Sequence, residues 1–472
     1  MPAMRAHSSV ERRTGVRRMR LLSAAAAICV LASAGGAAPI LDPAHITEQT
    51  LDNGFRLVIK AEQQWGLASA NLIIRAGSAY EGEGQTGAAH LLEHLLFEAT
   101  DARDDQRIGP AIESMGGQIN AVTTRDFTYL ELTVASQYLD EALALLAQAV
   151  FEPQITSVAV VREREVVARE LTDRLDSAGG ALDDLLWASA FSVHPYRRPI
   201  GGRPADVTDL TAEDLLDFYG RYYVPANMAL VVVGDVDAAA LGTRVAELFG
   251  AHTGAPVALP EIAPEPRPTD VTVAVDTRPS AATIVSFAWL APEVEDFDEV
   301  CAMDLIYTVL GEGRLGRLHA ALEEQDLAVM SDVQYLTQRD RGLMIITALT
   351  APDKETDVRT AVLAEIERLR AEPLTQEQLD EAKRVMRISY AFSNESYSDQ
   401  AGSLGFYEGL GDYRLAVEYI DRLDAVTPEL LQQVAIEYLD PDAYTLAIIR
   451  PEPRPGTVEE ARATCARLSV QG

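Results

Sequence analysis

His90-Leu91-Leu92-Glu93-His94 puts two imidazoles and a carboxylate within five residues. The stretch from about Thr86 to Ala99 predicts a helix. On a helix, residues four apart share a face, so His90 and His94 can grip one ion. Glu93 borders the same face. Catalytic zinc takes three protein ligands and keeps a fourth position for water. The pentapeptide therefore offers two ligands and a base, and the third ligand must come from elsewhere. A carboxylate suits that place. Such a centre makes water nucleophilic near neutral pH.

The elements that must hold this centre are short strands and amphipathic helices. Phe55 to Lys60, Ala68 to Ala76 and Thr128 to Val134 predict strands. Leu139 to Ala149 and Ser157 to Leu175 predict helices. The second half repeats the style, with strands at Val271 to Val275, Thr283 to Trp289 and Met344 to Thr350, and a helix from Phe297 to Leu310. Two strands before a helix argue for an α+β fold with mostly antiparallel sheets. The halves also end alike. Leu210, Thr211, Leu215, Tyr222, Pro225 and Leu230 recur as Val426, Thr427, Leu431, Tyr438, Pro441 and Leu446, each 216 positions on. In both copies a Thr N-cap opens a helix, a Pro follows it, and an apolar strand comes next. Two homologous domains follow, 39–250 and 271–472, joined by a Pro-rich linker at 251–270.

Composition narrows the function. The 472 residues are 48% hydrophobic, too apolar for disorder and too long for one ordinary domain. Net charge is −32, which argues against nucleic-acid binding because a phosphate backbone needs a basic footprint. The acidity fits a solvated surface, or a chamber that favours basic peptides. Arg12, Arg13, Arg17, Arg18 and Arg20 precede a 14-residue apolar or small run, Leu21 to Ala34, and then Gly35-Gly36-Ala37-Ala38. This order predicts a secretory signal peptide over residues 1–38 and a periplasmic protein. The run is shorter than the roughly 20 residues of a membrane span, and no later stretch reaches that length. Cys301 and Cys465 would remain after cleavage, paired or as free thiols. Gly311 to Gly316 spells GxGxxG, but a helix rather than a strand is expected before it.

The surroundings of the pentapeptide carry a resemblance. Gly77-Ser78-Ala79-Tyr80-Glu81, Gly84-Gln85-Thr86-Gly87-Ala88-Ala89 and His90 through Phe97 resemble the pitrilysin-type zinc metallopeptidases, whose motif is the inverted His-x-x-Glu-His. Gly116-Gly117-Gln118-Ile119-Asn120-Ala121, His194-Pro195-Tyr196, Pro199-Ile200-Gly201, Tyr222 to Met228, and Leu404-Gly405 to Tyr413 are similar to the family as well. The likeness covers nearly the whole mature chain, in the short form with two domains. It implies one Zn²⁺ per chain on His90, His94 and Glu170, which lies 76 residues after His94. It implies Glu93 as the catalytic base and Glu163 as a second carboxylate that orients a ligand. Glu165 is the rival to Glu170 by identity. Asn120, Ala121 and Thr123 would lie on an edge strand where a peptide adds by main-chain pairing.

One departure matters. The family's second domain usually carries an Arg and, seven residues on, a Tyr that hold the substrate carbonyl. Here the matching positions are Leu322 and Val329, and neither can donate a hydrogen bond. The expectation is a zinc-dependent endopeptidase or oligopeptidase acting on extended peptides in an enclosed chamber. It would be the zinc-bearing subunit of a heterodimer whose partner supplies the Arg/Tyr pair. Two alternatives stay open: a non-catalytic structural or peptide-binding subunit, and a self-sufficient homodimer.

Overall fold

The structure is a computed structural model and describes residues 40–97, 107–254, 257–313 and 316–452. The expected signal peptide, the last two residues of the expected zinc helix, and Cys465 lie outside the described residues. The first half runs β1 (Ile46–Thr50), β2 (Arg56–Ala61), β3 (Leu67–Ile74), α1 (Ala88–Phe97), α2 (Ile108–Ser114), β4 (Gln118–Thr123) and β5 (Thr128–Ala135). It continues with α3 (Leu139–Phe151), α4 (Ser157–Asp176), α5 (Ala178–Ala190), α6 (Pro204–Asp209), α7 (Ala212–Tyr222), β6 (Met228–Gly234) and α8 (Ala238–Phe249). The second half runs β7 (Thr272–Arg278), β8 (Thr283–Leu290), α9 (Phe297–Gly311), β9 (Met330–Tyr335), β10 (Leu343–Thr350) and α10 (Glu355–Ala371). It ends with α11 (Gln376–Phe392), α12 (Tyr397–Leu410), α13 (Arg414–Ala425), α14 (Pro428–Tyr438) and β11 (Thr445–Pro451).

Each half builds one sheet, in the order β1-β2-β6-β3-β5-β4 and β7-β11-β8-β10-β9. All neighbours are antiparallel except the pairs β2/β6 and β7/β11. The parallel registers agree. Arg56 pairs with Ala229, and Thr272 pairs with Thr445, each residue of the second pair lying 216 positions after its counterpart. The α+β reading and the two homologous halves are therefore what the chain forms. Local chemistry explains several elements. β6 reads Met-Ala-Leu-Val-Val-Val-Gly and is buried throughout, as a central strand covered on both faces should be. Thr211 and Thr427 accept from the backbone N–H groups of Asp214 and Leu430, so both N-caps form. α9 occupies the stretch before Gly311, so a helix leads into GxGxxG.

The halves exchange helices. α12 packs on β3 and β6 of the first sheet, while its counterpart α5 packs on β7, β8 and β11 of the second. Ile73, Val231 and Val233 thus join the second half's core, and Ala288, Ile345 and Ile449 join the first half's core. Gly405 and Gly409 let α12 approach closely. A Cβ at either would sit 2.8 Å from Asn71 Nδ2 or 2.7 Å from the Phe127 ring. At this seam the fully buried Glu408 meets Arg56 at 2.6 Å and also Arg75. The Pro-rich connector between α8 and β7 is pinned in its second part to both halves. Glu265 accepts the amides of Ser192, Val193 and His194 at 2.6, 3.0 and 2.8 Å, and Arg267 reaches Glu437 at 2.6 Å. Cys301 is buried in α9, where burial pushes its thiol pKa up. Among the described residues no helix is long and apolar enough to cross a membrane.

Candidate metal centre

α1 buries Leu91, Leu92, Leu95 and Leu96 against the core. That choice of face leaves His90, Glu93 and His94 on the half-buried side. The helix start is fixed by the loop before it. Glu81 is buried, and its carboxylate accepts from the Ala89 backbone N–H at 3.1 Å. This satisfies a donor at the helix N-terminus that would otherwise be orphaned. Burial lifts Glu81 to about 8. The Arg198 guanidinium donates to the carbonyls of Ser78, Ala79 and Glu81 at 3.2 to 3.4 Å and holds the loop. Gly87 sits at φ +91°, a backbone conformation that disfavours other residues.

α4 crosses α1. It buries Val160, Glu163, Val167 and Leu171, the stripe expected of one helix face. Glu163 and Glu170, seven apart, both reach the histidines. Glu170 Oε1 is 3.8 Å from His90 Nε2, and Glu170 Oε2 is 3.5 Å from His94 Nε2. Glu163 Oε2 is 3.8 Å from His94 Nδ1, on the side of the ring away from the cluster. One donor atom from each of His90, His94 and Glu170 lies within 4.8 Å of the others. Among the described residues this is the one group of three or more such side chains placed to hold an ion. Glu165 is exposed and takes no part.

Two nitrogens and a carboxylate oxygen, open on one side, fit zinc of the catalytic kind. Burial, then the neighbouring His94, pulls His90 down to about 4, so its imidazole stays neutral and able to ligate. Its Nδ1 is buried without a protein partner beside Gly201, where a Cβ would lie 2.9 Å away. Burial pulls His94 down too, but Glu170, Glu93 and Glu163 outweigh it, and its pKa rises. Glu170 is lowered by its bond with His94. Protonation of His94 and metal binding therefore compete for the same ring.

Glu93 lies beside the cluster. Burial raises its pKa, opposed by Thr123. The Thr123 hydroxyl donates to Glu93 Oε2 at 2.5 Å. Asn120, Ala121 and Thr123 all lie on β4, the edge strand of the first sheet. Ala121 and Thr123 turn toward the zinc-helix face, while Asn120 turns the other way and reaches Glu131 at 3.4 Å. Leu322 is fully buried in a π-helical turn, His319–Glu323, and Val329 is 76% exposed just before β9. The spacing along the chain did not reveal that Thr123 aims Glu93 or that Glu81 caps α1. Both contacts join segments that only the folded chain brings together.

Paired His on one helix, with a Glu from a neighbouring helix and a further acid beside them, make a candidate centre of the inverted zinc-peptidase type on a duplicated α+β scaffold. The chain belongs to peptidase family M16. Residues 56–203 match the insulinase (peptidase family M16) model and residues 209–386 match the M16 inactive-domain model. It is similar to the zinc protease PqqE of Helicobacter pylori, 28% identical over 92% of this chain and 98% of that protein. An uncharacterised zinc protease of Mycobacterium tuberculosis is 29% identical over 85% of this chain and 92% of its own length. A probable mitochondrial-processing peptidase subunit beta of Arabidopsis thaliana is 26% identical over 87% and 80%. Among solved structures, a Helicobacter pylori protease superposes with a TM-score of 0.81 at 26% identity, covering 86% of this chain and 99% of that one. The fold also matches an M16 inactive-domain protein from Pseudomonas fluorescens, with a TM-score of 0.77 at 21% identity over 86% and 98%.

Proposed function

We propose that this chain is a zinc-dependent endopeptidase or oligopeptidase that hydrolyses extended peptides, and that it is the zinc-bearing member of a pair. The observation that carries the reading is the convergence of His90, His94 and Glu170 within 4.8 Å, with Glu93 held beside them. Bound there, zinc would activate a water and polarise the scissile carbonyl. Glu93, half-buried and raised in pKa, takes the proton of the attacking water and returns it to the leaving amine. Glu163 steadies the His94 ring from behind. The peptide lies extended along β4, whose outer edge faces no strand of its own sheet.

Leu322 and Val329 favour an incomplete site. Neither offers a donor for the substrate carbonyl, and Leu322 has no access to solvent. A homologous partner chain would supply that donor and close the chamber. The N-terminal leader supports export to the periplasm, and cell fractionation would test that. The central experiment is peptide cleavage by the zinc-loaded mature chain, alone and with a homologous second chain, against Glu93→Gln. Turnover that needs the second chain and vanishes in Glu93→Gln is the expected result. Turnover by the chain alone would favour a self-sufficient homodimer. Full activity of Glu93→Gln would refute the mechanism, and zinc binding without turnover in any assembly would favour a binding subunit.

A further inference from the structure

The hairpin that carries Thr123 is gripped at its tip by the other half of the molecule. Between β4 and β5, the Thr124 hydroxyl accepts the amides of Asp126 and Phe127 at 3.2 and 3.0 Å and closes the turn. The turn then locks to the loop before α1. Ser78 and Ala79 donate their amides to the carbonyls of Thr124 and Arg125 at 3.1 and 2.9 Å. Asp126 points the opposite way, toward the second half. It is 3% exposed, yet both carboxylate oxygens are satisfied. Oδ1 accepts from the Tyr196 hydroxyl, and Oδ2 accepts the Arg339 amide at 3.1 Å. Arg339 and Asp340 belong to the β9–β10 loop, the second half's counterpart of this same hairpin tip. Asp340 donates its amide to the Tyr196 hydroxyl at 3.3 Å, and its carboxylate lies 3.3 Å from His194 Nε2. The Arg339 guanidinium donates to the Gly409 carbonyl on α12 at 3.0 Å. The two hairpins thus meet tip to tip across the seam.

We propose that Asp126 is a positioning residue through which the second half sets the catalytic base: it clamps the β4–β5 hairpin, and the hairpin's Thr123 hydroxyl aims Glu93. The inference rests on the reading of Glu93 as the base. The path is short. Asp126 is three residues from Thr123, and the turn between them is closed by Thr124. Thr128, across from Thr123 in the hairpin pairing, anchors its hydroxyl on the Ala76 carbonyl at 3.1 Å. Released at its tip, the hairpin keeps its ladder but loses the fixed height of Thr123 over α1. A hydrogen bond to a charged group depends steeply on that placement. The second half, which contributes none of the three candidate ligands, would then still contribute to the chemistry.

The test is a double-mutant cycle in the whole protein, in the assembly that shows turnover, with zinc content and KM measured for each variant. Thr123→Val and Asp126→Ala should each lower kcat about tenfold with bound zinc unchanged. The double variant should also fall about tenfold, because both changes remove one path. A hundredfold, additive loss would overturn the proposal, as would full kcat in Asp126→Ala. Tyr196→Phe, which keeps the ring and removes the donor to Asp126, covers the case in which Asp126→Ala does not fold, and it should lower kcat in the same way. Crystal structures of the variants give a readout that needs no activity. The Thr123–Glu93 bond should be lengthened or lost in Asp126→Ala, and its retention at 2.5 Å would overturn the proposal. A Glu93→Gln control separates the two failures: if it is active, the reading of Glu93 falls; if it is dead while the Asp126 and Tyr196 variants are fully active, only this inference falls.

Discussion

The two halves of the molecule share a five-strand sheet order, a parallel register and an exchanged helix, yet among the described residues only one brings together a candidate metal site. The difference sits on two pairs of corresponding helices. α1 keeps His90, Glu93 and His94 on its half-buried side, whereas α9 fills its length with Val300, Cys301, Ala302, Met303, Leu305 and Ile306, all buried. α4 turns Glu163 and Glu170 toward α1, whereas α11 buries Leu379, Ala382, Met386 and Tyr390. The approach differs as well. Residues 75–87 lead into α1 through a capped, arginine-braced loop, while only residues 291–296 lead into α9. One scaffold therefore serves as a site in one copy and as a support in the other. The lesson is that chemistry is set by a few side chains on a helix face, not by the fold that carries the helix.

The largest effect expected from breaking this asymmetry is at the base. Glu93→Gln should bind zinc with unchanged stoichiometry and lose about a thousandfold in turnover, read by metal analysis and peptide cleavage. His90→Ala or His94→Ala should instead lose the metal itself, which the same metal analysis separates from Glu93→Gln.

Next come the positions where the second half lacks donors. Leu322→Arg places an unpaired charge in a fully buried position and should destabilise the chain by about 3 kcal/mol or more in denaturant unfolding. Val329→Tyr is at an exposed position and should change stability by less than about 0.5 kcal/mol. If Leu322→Arg folds as stably as the parent and raises turnover, the halves are more interchangeable than their cores imply.

The seam comes third. Glu408→Ala takes the carboxylate from the half-buried Arg75 and leaves it only the residue-408 carbonyl, and should cost about 2 kcal/mol, seen as a lower unfolding midpoint. No loss would mean that the exchanged helices hold the halves together by apolar contact alone.

The last effect is a pH dependence carried by Glu81 in the first half. Glu81 titrates near 8 when folded and near 4.5 when unfolded, so between those values the folded state binds more protons. Stability from this group is then greatest below pH 4.5 and is lost as pH rises toward 8. Glu81→Gln keeps an acceptor for Ala89 N–H and should flatten that slope in thermal unfolding at pH 5 and pH 8. An unchanged slope would mean that another group sets it.

Much of this was legible in the sequence, because it is encoded locally. The 90/94 spacing puts two imidazoles on one helix face, and the 163/170 spacing does the same for two carboxylates. The Thr caps at 211 and 427 and the 216-residue offset announced matching helices and strands, and the parallel registers keep that offset. Helix and strand periodicity fix which residues share a face, whatever the rest of the chain does. Tertiary structure alone decided the rest. It crossed α5 and α12 onto each other's sheets, brought Glu81 to the start of α1, and laid Thr123 on Glu93. These contacts join segments 8 to more than 300 residues apart, and no local preference specifies them. They form because burying two apolar sheet faces and satisfying the polar groups caught between them leaves few other arrangements.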